Sequence, residues 1–146
     1  MEEFMPMATE FAKNHTLMIV CWIALFFGTI YVFFKEVTSK IKVIENAEAV
    51  SLMNNEDAVV IDLRSIDEFK RGHIINSQQF VPSDIKNHNI GKLEQHKELP
   101  VILVCASGLT ARPTAEILAK QGFDRVHALR EGIAGWNAAN LPLVKQ

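Results

Sequence analysis

The hydrophobic pattern along the chain changes character once, and sharply. Leu17 to Phe34 is an unbroken apolar run, LMIVCWIALFFGTIYVFF, without a charged residue. Wound as a helix it spans roughly 27 Å, close to the ~30 Å hydrocarbon core of a bilayer. Only Thr29 interrupts it, whereas a buried soluble helix of this length carries a polar stripe. Tyr31 stands near one end, where amphipathic rings favour the membrane interface. The pattern predicts a retained transmembrane helix over 17–34. A cleaved signal peptide is the competing reading. Against it stand an acidic lead and the stretch Phe33-Phe34-Lys35-Glu36-Val37, which offers no small-residue cleavage site. Residues 1–16 read as a short, flexible, acidic lead, although Phe4, Met5, Met7 and Phe11 would also suit a membrane surface. Residues 35–40 read as a connector.

From residue 41 to 146 short apolar runs alternate with amphipathic stretches. Ile41, Val43 and Ile44 suggest an edge strand. Asn46 is a candidate cap for a helix reaching about Met53, with Ala47, Val50 and Leu52 inward. Ala58-Val59-Val60-Ile61-Asp62 reads as a buried strand. Asp67 to Lys70 reads as a brief helix stopped by Gly72. A short strand is expected at Gln79-Phe80-Val81, closed by Pro82, with Ser83 and Asp84 at a helix start. Ile85 to about Gln95 is expected helical in two pieces around Gly91. Val101-Ile102-Leu103-Val104 is the most apolar run and reads as a strand buried on both faces. Thr110 to Lys120 follows as a helix, with Ala111, Ala115, Leu118 and Ala119 at helical spacing and Gln121-Gly122 as its end. Val126-His127-Ala128-Leu129 is another strand, and Gly132 to Ala139 a last helix carrying Trp136. Strands alternating with helices predict an α/β domain: a small parallel sheet with helices on both faces, preceded by one transmembrane helix.

Charge changes this picture little. The 146 residues carry 15 basic and 17 acidic side chains, too balanced for a nucleic-acid footprint. Lys35, Lys40 and Lys42 follow the apolar run while Lys13 alone precedes it. The positive-inside bias then places the C-terminal domain in the cytoplasm, with the chain spanning the inner membrane once. Cys21 and Cys105 lie in unlike contexts, so no structural disulfide is expected. No Cys/His spacing of the zinc type occurs.

Cys105 is where the pattern points to chemistry. It ends the most apolar strand, and the loop after it runs through Ser107 and Gly108 into a helix. A thiol there faces unpaired N–H groups and the positive end of a helix dipole, both of which stabilise negative charge. A nucleophilic cysteine is one reading. A small buried core side chain is the other, since free cysteines are among the most buried residues. In open parallel sheets, sites lie at the carboxyl ends of the strands, which is where Cys105 falls.

Three blocks then carry a resemblance. Ile61-Asp62-Leu63-Arg64 with Glu68-Phe69 and Gly72-His73-Ile74 resembles the first signature of rhodanese-like domains. Cys105-Ala106-Ser107-Gly108 resembles their active-site loop. Leu129-Arg130-Glu131-Gly132-Ile133-Ala134-Gly135-Trp136, with Asn140-Leu141-Pro142-Leu143, resembles their closing signature. The blocks occur in family order over roughly residues 40–144, and the whole chain is similar to bacterial membrane-anchored rhodanese-like proteins. The resemblance implies a sulfurtransferase. Cys105 would take the outer sulfur of a donor, thiosulfate or a persulfide, and pass it to a thiol acceptor, with no metal or organic cofactor. Ala106, Ser107, Gly108, Leu109, Thr110 and Arg112 would form the binding loop, and Asp62, Arg64 and His73 would support it. Asp62 and Arg64 read as a pair bracing neighbouring loops, and His73 as a turn residue. The sequence departs from the family at one point. Many members carry an arginine five residues after the cysteine, where this chain has Thr110; its arginine, Arg112, comes two residues later. The position six residues after the cysteine is Ala111, which argues against a tyrosine-phosphatase reading. Two further readings stay open: a rhodanese fold that docks membrane protein partners without turnover, and thiol redox sensing by Cys105.

Overall fold

The computed structural model describes residues 3–38 and 40–146. It divides into two compact units, Met1–Ser39 and Lys40–Gln146. The first two residues of the expected lead, and Ser39 of the expected connector, lie outside the described residues.

In the first unit, the expected flexible lead is instead a helix, α1 (Phe4–Asn14). Its carbonyl end is closed by Thr16, whose hydroxyl donates to the carbonyls of Ala12 and Lys13. The apolar run forms α2 (Thr16–Val37), three residues longer at its C-terminal end than the charge-free stretch. The helix continues because nothing from Lys35 to Val37 breaks it, so half of the expected connector is helical. Within it Thr16–Lys35 has a mean hydropathy of 2.4 and is unburied; by length and composition it can cross a membrane.

The second unit is built on a parallel five-stranded sheet. In chain order it comprises β1 (Ile41–Ile44), α3 (Asn46–Asn55), β2 (Val59–Asp62), α4 (Ile66–Arg71), β3 (Gln78–Gln79), α5 (Pro82–Lys86), a 3₁₀ segment (Gly91–His96), β4 (Val101–Val104), α6 (Ala111–Lys120), β5 (Val126–Leu129) and α7 (Gly132–Ala138). The strand order is β1-β5-β4-β2-β3, with every pairing parallel. β4 lies at the centre, which is why all four of its residues are buried. Its side chains alternate across the sheet. Val101, Leu103 and Cys105 join α5, α6 and the 3₁₀ segment in one core, around Ile85, Leu93, Ala115, Leu118 and Phe123. Ile102 and Val104 join α3 and α7 in the other, around Leu52, Ile133 and Trp136. Both faces are therefore covered, as parallel sheets require.

Local departures from expectation have local causes. α3 begins one residue earlier than a cap at Asn46 implies: Glu45 is the N-cap, and Asn46 Nδ2 instead donates to the Gly135 carbonyl, tying α3 to α7. That register exposes Ala47 and buries Ala49 with Leu52. β3 ends at Gln79, because Val81 serves as N-cap and Pro82 opens α5 at a position where its missing N–H costs nothing. The helical stretch expected from Ile85 thus starts at Pro82 and stops at Lys86, where His88 and Gly91 turn the chain with positive φ. α6 starts at Ala111, with Thr110 as N-cap, and α7 ends at Ala138.

One polar group sits against this logic. His127, on β5 beside Lys42 and Ile102, is buried with neither ring nitrogen hydrogen-bonded. Burial holds its pKa below the ordinary 6.5, helped by Arg125 and Lys42, while Glu48 and Glu56 oppose the shift. The folded chain therefore binds this proton more weakly than the unfolded chain. The associated stability is complete above the unfolded value near 6.5 and declines as pH falls below it. In thermal unfolding of the full chain in detergent, we expect Tm to fall between about pH 7.5 and 5.5, and His127→Phe to flatten that slope. An unchanged slope in the variant would assign the effect to other groups.

Candidate functional site

The site forms where β4 gives way to α6. Cys105 is buried, 5% exposed, and the chain after it turns out to the surface: Ala106, Ser107, Leu109 and Thr110 are exposed and Gly108 is half-buried. The Gly108 N–H donates to Cys105 Sγ at 3.0 Å. Gly108 holds φ +92°, and a Cβ there would lie 1.8 Å from the Arg130 carbonyl oxygen, so no other residue fits this turn.

A second loop locks the first. The Ile133 N–H donates to the Cys105 carbonyl at 2.9 Å and the Ala134 N–H to the Ala106 carbonyl at 3.0 Å. These are unpaired amides of the first turn of α7, and they hold the cysteine loop by its carbonyl side. The approach is so close that a Cβ on Gly132 (φ +59°) would lie 2.1 Å from the Cys105 oxygen. With its carbonyls bound outward, the loop turns an amide toward the sulfur. Gly132, Ile133 and Ala134 were not singled out from the sequence as site residues, although they stand in the closing signature. Only the positive φ and the contact distance reveal their part.

α6 contributes the other wall. Thr110 has helical dihedrals and its hydroxyl makes no capping bond, while the Thr114 hydroxyl donates back to the Thr110 carbonyl at 2.8 Å. Pro113 falls in the first turn, where its missing N–H is tolerated. Arg112 is exposed on that turn. Leu109, 83% exposed, is the most exposed large apolar side chain of this unit.

The remaining expected site residues form a brace rather than a reaction centre. Asp62, 1% exposed, accepts from Arg64 through the backbone N–H (3.0 Å), Nε (3.0 Å) and Nη2 (2.8 Å). Arg64 Nη2 also donates to the Gly72 carbonyl at 2.6 Å, and Gln79 Nε2 to the Arg64 carbonyl at 2.8 Å. The pair thereby ties the end of β2 to the end of α4 and to β3. A capping box on Ser65 and Glu68 starts α4, and the Ser65 hydroxyl holds the Glu68 carboxyl below the ordinary carboxylate range. His73 stacks on Phe69 at 3.8 Å, its Nδ1 lies 2.7 Å from the Phe69 carbonyl, and its backbone pairs with Val144. Among the described residues no three His, Cys, Asp or Glu side chains are grouped to hold a metal ion. Both cysteines are free thiols.

A parallel sheet with a cysteine at the carboxyl end of its central strand, its sulfur accepting from a loop amide, is the architecture of one class of domain. The family model of the rhodanese-like domain matches residues 45–139, and the chain belongs to that family. It is 48% identical over 136 residues to the uncharacterized protein YibN of Escherichia coli (strain K12), covering 93% of this chain and 95% of that protein. It is 36% identical over 98 residues to the thiosulfate sulfurtransferase GlpE of Glaesserella parasuis serovar 5, covering 66% and 86%. Among solved structures, the rhodanese-related protein of Thermoplasma volcanium superposes with a TM-score of 0.62 at 22% identity, over 72% of this chain and 99% of that one, a likeness of fold. The family and its sulfurtransferase relatives place the chain in the general sulfurtransferase kind.

The Asp62–Arg64 brace can be tested directly. Arg64→Met leaves a buried carboxylate without its cation and should cost about 3–5 kcal/mol in unfolding free energy. Adding Asp62→Asn removes the stranded charge and keeps an acceptor for the Arg64 backbone N–H. The double variant should therefore be more stable than Arg64→Met alone; equal or lower stability would mean the pair acts by packing instead.

Proposed function

We propose that the chain is a membrane-anchored sulfurtransferase that carries sulfane sulfur on Cys105. The observation that carries this reading is the Gly108 amide 3.0 Å from Sγ, in a loop pinned by α7. The Cys105 thiolate attacks the outer sulfur of a donor. With thiosulfate, the sulfur–sulfur bond breaks, sulfite leaves with the bonding electrons, and Cys105 becomes a persulfide. An acceptor thiolate then attacks the terminal sulfur, takes it as its own persulfide, and returns Cys105 as thiolate. Neither step needs an external oxidant or reductant. Splitting the transfer through a covalent intermediate suits an activated cysteine, and a fixed N–H beside the sulfur steadies the charge on the thiolate and persulfide. Ser107, Leu109, Thr110 and Arg112 form the face the donor and acceptor meet, while Asp62, Arg64 and His73 keep the neighbouring loops in place.

α2 serves as the anchor, spanning the inner membrane once with the C-terminal unit in the cytoplasm; its length and apolarity, and the lysines after it, support that placement. Partners that dock at the membrane fit the same reading. Thr110 bears on the donor. Lacking a cation five residues after the cysteine, the loop should favour persulfide donors over thiosulfate.

Incubation of the full chain in detergent with thiosulfate or a low-molecular-weight persulfide should add one sulfur atom by intact mass, and Cys105→Ala should abolish it. No adduct with any donor would sink the enzyme reading and favour a docking module. Thr110→Arg supplies charge-assisted hydrogen bonds to the anion, worth about 1.5–3 kcal/mol. It should raise kcat/KM for thiosulfate, a dianion, by roughly ten- to a hundredfold and raise that for a singly charged alkyl persulfide much less. An equal effect on both would show that the residue does not select the donor by charge.

A further inference from the structure

The helix α1 has an apolar face that the described residues leave exposed, apart from a ring contact of Phe11 with His15 at 4.7 Å. All eleven of its residues are exposed, among them Phe4 (72%), Met5 (72%), Met7 (69%) and Phe11 (52%). On a helical projection Met7, Phe11, Phe4, Ala8, Ala12 and Met5 fall together over roughly 160° of the circumference at 100° per residue. Thr9, Lys13, Pro6, Glu10 and Asn14 fill the rest. The separation is complete for a helix of only three turns, and a solvated lead would have no use for it.

Two observations say what covers the apolar side. α1 is a terminated helix, not an extension of α2. His15 leaves helical geometry (φ −125°, ψ 33°), and the Thr16 hydroxyl closes the last carbonyls. Yet only that one residue separates it from the helix proposed to enter the bilayer, so α1 is held at the level where headgroups meet acyl chains. Its charges also rule on the kind of surface. Within the helix Glu10 balances Lys13, and Glu2 and Glu3 precede it in the sequence, so attraction to anionic lipid is not the driving term; burial of apolar side chains is.

From this we propose that α1 is an interfacial helix seated in the headgroup–acyl boundary of the membrane, with Phe4, Met7 and Phe11 as its anchors and Glu10 and Lys13 in water. The inference rests on the membrane reading of α2. It gives the anchor a second, in-plane element at the end away from the sheet domain in sequence, fixing the depth and rotation of the span.

The test is a nitroxide scan of the full chain reconstituted in phosphatidylcholine vesicles. In a Cys21→Ala, Cys105→Ala background, single labels are placed by Phe4→Cys, Met7→Cys and Phe11→Cys, by Thr9→Cys, Glu10→Cys and Lys13→Cys, and in the span by Ala24→Cys. Labels at 4, 7 and 11 should meet oxygen more than the water-soluble nickel complex, and those at 9, 10 and 13 the reverse. Adding phosphatidylglycerol should not strengthen the pattern. Uniform nickel exposure along α1 with Ala24→Cys sheltered would overturn the interfacial helix and leave the span intact. Nickel exposure at Ala24→Cys would overturn both. Immobile labels shielded from both reagents would mean that a protein covers the face, and would also overturn the proposal.

Discussion

Two hydrogen bonds do more than any others to make this site: Ile133 N–H to the Cys105 carbonyl and Ala134 N–H to the Ala106 carbonyl. A loop leaving the end of a buried strand has a choice of which side of its peptide groups faces inward. Here the first turn of α7 takes the carbonyl side, since its own amides need acceptors and have none within the helix. The amide side is left for the sulfur. The contact requires two backbones to approach closer than side chains allow, and Gly108 and Gly132 are the residues that permit it. The local electrostatics of the thiol is thus set by a helix that comes more than twenty residues later in the chain.

The rest of the second unit can be understood as holding those two loops in register. Cys105 and Ile133 leave opposite faces of neighbouring positions: the cysteine belongs to the core under α6, and Ile133 to the core under α7. Both cores are anchored on β4 and β5, so any shift between the strands would pull the loops apart. Asp62 and Arg64 perform the same task one strand over, with their charges spent on each other and on the Gly72 carbonyl rather than on a ligand. Such a buried pair contributes little net stability. What it contributes is a fixed exit for the chain at the end of β2.

Much of this was legible in the sequence. The run of branched aliphatics at 101–104 required a central strand, the spacing of Ala111, Ala115 and Leu118 required a helix facing it, and the parallel α/β class followed from the alternation. Asp62 and Arg64 were readable as a pair because they stand two residues apart at a strand end. In the sheet domain the positions that read differently share a cause: they depend on backbone geometry that side-chain patterns do not encode. Asn46 reads as a cap, yet its amide finds a better acceptor on α7, far away in sequence. Ala47 and Ala49 are chemically alike, so a one-residue change in helix start decides which is buried. The amides of Ile133 and Ala134 carry no side-chain signal at all. The N-terminal lead reads as flexible for another reason, because its charge count masks its periodicity: Phe4, Met7 and Phe11 recur at helical spacing even though the segment as a whole is acidic.

The division of labour in the loop bears on how it would recognise a donor. One main-chain amide, that of Gly108, meets the sulfur, and it does so whatever side chains stand at 107, 109 and 110. Those side chains are exposed, and thus answer to the molecule arriving from solvent rather than to the fold. An arginine at position 110 would add a fixed charge to the mouth; Thr110 removes it without disturbing Gly108 or the α7 contacts, because its side chain takes no part in them. In the proposed function, the departure at Thr110 therefore alters which sulfur compound enters, while the handling of sulfur at Cys105 stays as the backbone sets it. Leu109, apolar and 83% exposed on the same loop, likewise answers to solvent rather than to the fold.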